Sequence, residues 1–162
     1  MTHQDDNAGV IAPPPLLALG VIVLGPLLDW LAPAYLLSLM LSLTERIMFP
    51  IILIGAGAAM GYAAIKAFRA AGTRVEPWKP TTAIVTTGVF AWMRNPMYVG
   101  GALILAGLSV ALASDWMLAL TFLLMPLMHY GVVKREERYL AAKFGQPYLD
   151  YMAQVSRYGW PF

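Results

Sequence analysis

Residues 95–133 read NPMYVGGALILAGLSVALASDWMLALTFLLMPLMHYGVV, and Asp115 is the one charged residue among them. The runs on either side, 95–114 and 116–133, are each long enough to cross the hydrocarbon core of a bilayer, which takes about 17–25 mostly apolar residues. Ser114-Asp115 is nearly all the connection between them. Two apolar helices joined so tightly form a hairpin, and its two outer ends emerge on the same side of the membrane.

Upstream, the windows 7–28 and 47–65 are also free of charge and long enough to span. The window 30–44 is shorter and contains Pro33, which marks it as an embedded or interfacial turn. Spans are therefore predicted near 14–32, 46–69, 96–113 and 115–133. The fold class that follows is an all-α integral membrane protein with about four transmembrane helices, a re-entrant or interfacial segment and a C-terminal helical tail. One membrane domain, 1–162, is expected: a flexible tail at 1–13, the first two spans within 14–69, and the functional part in 70–162. The acidic Asp5 and Asp6 do not make the basic start of a signal peptide.

Composition agrees, since 59% of the residues are apolar and 12% charged, against roughly 45–50% and 25% in a soluble domain. A net charge of +2 is too small for a nucleic-acid footprint, and the absence of cysteine excludes disulfides and thiol catalysis. The cations are unevenly placed. Lys66, Arg69, Arg74, Lys79 and Arg94 lie between the second and third spans, and Lys134, Arg135, Arg138, Lys143 and Arg157 follow the fourth; only Arg46 lies opposite. The positive-inside rule then puts the 70–94 loop and the C-terminal tail in the cytoplasm, and a bacterial inner membrane is the expected location.

Several motifs are weighed against plain structural readings. Gly55, Gly57 and Gly61 have the wrong spacing for a dinucleotide loop and lie inside a span, so Gly57 and Gly61 are read as a G-x-x-x-G packing pair. Asp29 beside Trp30 reads as interfacial, and His129 as a hydrogen-bonded histidine near a span end or a base. Asn95-Pro96 reads as an N-cap followed by proline at the first helical position, with Arg94 beside it: an anion site at a helix N-terminus. Glu136-Glu137 follow the fourth span, then Leu140, then Phe144-Gly145 as a helix stop, then Pro147 opening a helix that carries Tyr148 and Tyr151.

Taken in order, TTGVFAWMRNPMYVG (86–100), EERYL (136–140) and FGQPYLDY (144–151) resemble the isoprenylcysteine carboxyl methyltransferases and the related phospholipid methyltransferases. The resemblance covers about residues 72–162, and the closing Gly159-Trp160-Pro161-Phe162 is nearer to the isoprenylcysteine branch. It implies a membrane enzyme that binds S-adenosylmethionine, without metal, in a cytoplasmic pocket and methylates an acceptor arriving from the bilayer. By position, the family's Arg-His-Pro-x-Tyr-x-Gly motif falls on Arg94, Asn95, Pro96, Tyr98 and Gly100, and its Glu-Glu pair on Glu136 and Glu137. The usual histidine is asparagine here, which keeps a hydrogen-bonding role but removes an ionisable imidazole.

Under that resemblance, Asn95 and the helix start would take the cofactor's carboxylate, Glu136 or Glu137 its ammonium or ribose hydroxyls, and Pro96, Tyr98, Gly100, Leu140, Tyr148 and Tyr151 would line the rest. Arg94 and Glu137 are the expected catalytic residues, Arg94 holding an acceptor carboxylate, with Arg157 or Arg138 as substitutes. A carboxylate acceptor is already ionised at neutral pH and needs no base, whereas an amine such as phosphatidylethanolamine does. Carboxyl methylation of an isoprenylcysteine-like molecule is therefore the expectation, phospholipid N-methylation the alternative, and a non-catalytic scaffold or carrier associating through Gly57 and Gly61 the reading from another class.

Overall fold

The computed structural model describes residues 7–159, so Asp5, Asp6 and the closing Trp160-Pro161-Phe162 lie outside the described residues. Those described form seven α-helices and no strand: α1 (Pro14–Leu31), α2 (Leu36–Met40), α3 (Leu43–Ala70), α4 (Pro96–Ala111), α5 (Asp115–Met128), α6 (Lys134–Phe144) and α7 (Gln146–Gln154). A 3-10 turn, Gly88–Ala91, precedes α4, and a π turn, His129–Val133, joins α5 to α6 without a break. Three helices are long and apolar enough to cross a membrane: Pro14–Leu31, Leu43–Ala70 and the continuous Asp115–Phe144. The apolar α4 is shorter.

Local chemistry sets the boundaries. Ser42 and Glu45 form a capping box, in which Glu45 accepts from the Ser42 backbone at 2.8 Å, and this starts α3 at Leu43, ahead of the predicted 46. Gly145, at φ 62°, stops α6 as its spacing predicts. The 30–44 segment holds the short α2, whose Leu36, Leu39 and Met40 are exposed.

Glycines let the long helices approach. A Cβ on Gly57 of α3 would collide with the Gly100 carbonyl oxygen, and a Cβ on Gly107 of α4 would lie 2.7 Å from Ile54 Cγ1. The expected Gly57 and Gly61 pair needs correction, because a Cβ on Gly61 would meet nothing within 4 Å. Gly57 pairs instead with Gly100 on the neighbouring helix. Behind this seam, Val21, Leu105, Met117, Leu124, Met128 and Val132 join α1, α4 and α5 in one buried cluster.

The hairpin end of α4 and α5 is latched to α1 and α2. Asp29 accepts from the Ser114 hydroxyl and, at 3.3 Å, from Trp116 N–H. Asp115 accepts from the N–H groups of Leu36 and Leu37, both at 2.8 Å, and so caps α2. Residues 8–11, expected to belong to a flexible tail, are tied at the other end: Ile11 N–H donates to Gly131 O at 3.1 Å and Arg135 to Gly9 O at 2.7 Å.

Candidate active site

The start of α4 is fixed by the turn before it. Gly88 takes φ 62°, a left-handed value that a side chain would strain, and Phe90 is buried edge-on against Phe68 of α3, ring centroids 4.9 Å apart. Tyr151 of α7 donates its hydroxyl to Phe90 O at 2.7 Å. Arg94 and Asn95 are thereby held against the first turn of α6, which carries Glu136 and Glu137.

Four interactions close the site. Tyr98 donates its hydroxyl to Glu136 Oε1 at 2.8 Å. Arg157 forks onto Glu137, with Nε to Oε1 and Nη2 to Oε2 both at 2.8 Å. Arg94 Nη2 lies 3.2 Å from Glu137 Oε1. The tail is stitched to the same place, since Arg94 N–H donates to Ser156 O at 3.0 Å and Asn95 Nδ2 to Arg157 O at 3.2 Å.

A cavity of about 110 Å³ opens among these groups. Nine of the ten residues singled out in the sequence line it: Arg94, Asn95, Pro96, Tyr98, Glu136, Glu137, Leu140, Tyr148 and Tyr151. Gly100 does not. It faces α3, where a Cβ would lie 2.7 Å from Gly57 O, because its lack of a side chain is used for helix approach. Asn95 stands at the N-cap position of α4, but its side chain makes no cap bond, being turned to the tail carbonyl.

The arginine is unusual in what it lacks. Its side chain is 8% exposed, yet Nε and Nη1 are buried without a hydrogen-bond partner among the described residues. A buried donor left unpaired costs on the order of 1–3 kcal/mol, more when charged, so two of them on a residue that lines the cavity make an anion a favourable neighbour. Both Glu137 oxygens, by contrast, are occupied by arginines. Burial raises the Tyr148 phenol well above its ordinary pKa and pushes Tyr151 up to about 12 against the lowering influence of Arg94. Both stay protonated at neutral pH, as walls and donors. The hydrogen bond to Glu137 raises Arg157 above its ordinary value.

Sequence reasoning counted the 74–85 segment within the functional part but singled out none of its site residues, and it supplies Arg74, Glu76 and Thr81 to the cavity; no spacing ties them to α6. Arg157 entered only as a substitute, although it is the main clamp on Glu137. Two apolar cavities adjoin the polar one. One of about 610 Å³ lies between α4 and α5, and one of about 330 Å³ lies among α1, α4 and α5 beneath residues 75–78. Tyr98 lines all three, and Arg94 lines neither apolar one.

A family model described as phospholipid methyltransferase matches residues 45–147. The chain belongs to the phospholipid methyltransferase family. No curated protein and no solved structure matches it. Together with its apolar helices, membership makes the protein a membrane methyltransferase, of the family related to the isoprenylcysteine carboxyl methyltransferases. The family match contains Arg94, Asn95, Glu136 and Glu137 and ends before Tyr148, so the tail that clamps the site lies beyond it. Among the described residues, no cluster of three or more histidines, aspartates and glutamates is placed to hold a metal ion.

Proposed function

We propose that this membrane methyltransferase uses S-adenosylmethionine to methylate the carboxylate of a lipophilic, isoprenylcysteine-like acceptor. The observation that carries the reading is Arg94, which lines a cavity together with the start of α4 and has two buried donors without a hydrogen-bond partner among the described residues. Such a pair fits the methionine carboxylate of the cofactor, to which the free N–H groups of the first α4 turn add. This moves Arg94 from the acceptor to the cofactor, because it lines neither apolar cavity through which a lipid-borne group would come.

The remaining residues fit the same ligand. Glu136, with only Oε1 engaged by Tyr98, has an oxygen for the cofactor's ammonium or a ribose hydroxyl. Glu137, held by two arginines, positions Arg94 and the tail. Tyr98, Tyr148 and Tyr151 bring aromatic faces, which attract a sulfonium by about 0.5–2 kcal/mol each, while Leu140 and Pro96 exclude water. When bound, the cofactor supplies an activated methyl group whose transfer to a carboxylate oxygen leaves a neutral thioether and moves no proton. The chain's task is then alignment, worth roughly 7–11 kcal/mol in well-oriented reactions.

In this reading α4, rising about 24 Å, completes a four-helix crossing with modest bilayer accommodation, and the cations around the site put it in the cytoplasm. N-methylation of a phosphatidylethanolamine-type lipid is the second reading, favoured by the family's description. It needs a base, for which Glu136 alone of the three cavity glutamates is free of a cation among the described residues, Glu76 being paired with Lys79 and Glu137 with two arginines.

The test is methyl transfer from labelled S-adenosylmethionine by lipid-reconstituted protein, offered S-farnesylcysteine and phosphatidylethanolamine separately. Label released by alkali as methanol is the expected result. Alkali-stable label in the phospholipid overturns carboxyl methylation in favour of N-methylation.

A further inference from the structure

The larger apolar cavity is not uniformly apolar. Its walls are side chains such as Leu103, Leu118 and Phe122, while its polar residues gather mainly where α5 gives way to the π turn: Tyr98, His129, Tyr130 and Tyr158. A groove with one polar end has the shape of an amphiphile. At that end Tyr98 also lines the polar cavity.

His129 opens the π turn, an element that is rare and concentrated at functional sites because its extra residue re-aims the side chains around it. The ring is fixed on two sides. Nδ1 lies 2.9 Å from the Tyr158 hydroxyl, and the ring stands edge-on to Tyr130, centroids 4.7 Å apart at 81°. Tyr158 is itself fixed, being next to Arg157, which grips Glu137. Nε2 has no hydrogen-bond partner among the described residues. A polar ring held this firmly, with one nitrogen free and the groove beside it, is preorganised for something that enters the groove.

We propose that His129, aimed by Tyr158, holds the polar end of the methyl acceptor, a carboxylate on an apolar chain, at the end of the α4–α5 groove that shares Tyr98 with the polar cavity. The assignment rests on the methyl-transfer reading above and extends it to the acceptor. With the Tyr158 hydroxyl donating to Nδ1, the ring proton sits on Nε2, so the free nitrogen is a neutral donor suited to a carboxylate oxygen. Arg94 lines the polar cavity and not the groove, so the acceptor's charge is met first by His129, the Tyr98 proton being held by Glu136. His129 is thus a specificity residue, and Tyr158 a positioning residue acting through it.

Two amide substitutions separate this role from a structural one. His129→Asn keeps a polar atom near Nδ1 for Tyr158 and removes the Nε2 position; His129→Gln carries an amide to the Nε2 position and gives up the Tyr158 bond. Using N-acetyl-S-farnesylcysteine as acceptor, His129→Asn is expected to raise KM about tenfold, the loss of one hydrogen bond to a charged group, with kcat and S-adenosylhomocysteine affinity unchanged. His129→Gln retains most of the wild-type KM, and Tyr158→Phe falls between. A diazirine on the farnesyl chain is expected to label Leu118 or Phe122. The reverse order, with Gln impaired and Asn normal, overturns the proposal in favour of a structural tie to Tyr158, as does labelling confined to the cavity beneath residues 75–78. Wild-type protein that binds S-adenosylhomocysteine but not the farnesylated acid overturns this proposal alone. Binding of neither overturns the methyl-transfer reading and this proposal with it.

Discussion

The two ends of the α4–α5 hairpin both carry polar clusters, and they differ in whether the hydrogen bonds are complete. At the hairpin end all four carboxylate oxygens of Asp29 and Asp115 accept a donor from Ser114, Trp116, Leu36 or Leu37. At the other end, among the described residues, two buried donors of Arg94 have no partner and His129 uses one of its two ring nitrogens. Both clusters are charged residues at the edge of an apolar bundle, so composition alone does not distinguish them. Under the proposed function satisfaction does: the cluster that answers all its own groups holds the fold, and the one that leaves groups unanswered beside a cavity takes the ligand.

The seam between the ends offers the largest perturbation. Gly57→Leu places a side chain where the Gly100 carbonyl and Ile104 Cγ1 already stand, the latter 2.8 Å from the first added carbon. Separation of α3 from α4 is expected to cost about 3 kcal/mol or more, removing the folded protein in detergent and both clusters with it. Gly61→Leu, with open space at its Cβ, is expected to leave the melting temperature unchanged. Equal damage from both would show that the seam is not where the structure puts it.

The next two substitutions set the ends against each other. Arg94→Ala is expected to weaken S-adenosylhomocysteine binding about 100-fold, equivalent to two hydrogen bonds to a charged group at about 1.5 kcal/mol each. The melting temperature should change little, because Arg157 still pairs Glu137. Asp115→Ala should do the opposite. It strips the cap from α2 at a cost of about 0.5–2 kcal/mol, lowering the melting temperature while calorimetric cofactor affinity stays at the wild-type value. If Asp115→Ala weakened the ligand as much as Arg94→Ala, the distinction between satisfied and unsatisfied ends would fail.

How far the sequence foresees this depends on the range of the interaction. The long helices are legible because charge-free runs and bilayer thickness are properties of contiguous chain. Gly145 and the proline starts of α4 and α7 are legible for the same reason. Nine cavity residues follow from the order of motifs resembling a family, not from any derivable contact. What escaped is long-range: Asp115 reaching back to α2, Arg157 returning twenty residues to Glu137, and Tyr158 finding His129. Even Gly100, correct as a motif position, serves the helix seam, since whether a glycine faces a ligand or a neighbour is decided by rotation of α4 about its axis. The capping box at Ser42 and Glu45 is the exception, a local signal that the charge map passed over.

Asn95 gives the smallest and most specific comparison. The family pattern has histidine there, and in this chain Nδ2 donates to the Arg157 carbonyl, a bond that draws the tail over Arg94. Asn95→Ala removes that donor and leaves a carbonyl of the clamp unpaired, which costs about 1 kcal/mol and is expected to weaken S-adenosylhomocysteine binding about fivefold. A neutral imidazole also presents an N–H, so Asn95→His should restore affinity to within about twofold. Restoration that holds with the imidazole neutral, above pH 7.5 or so, and changes little when it is protonated identifies the position as a donor to the tail. Restoration only in the protonated form would instead make it a second cation in the anion site, and the site end would hold more unanswered charge than Arg94 alone.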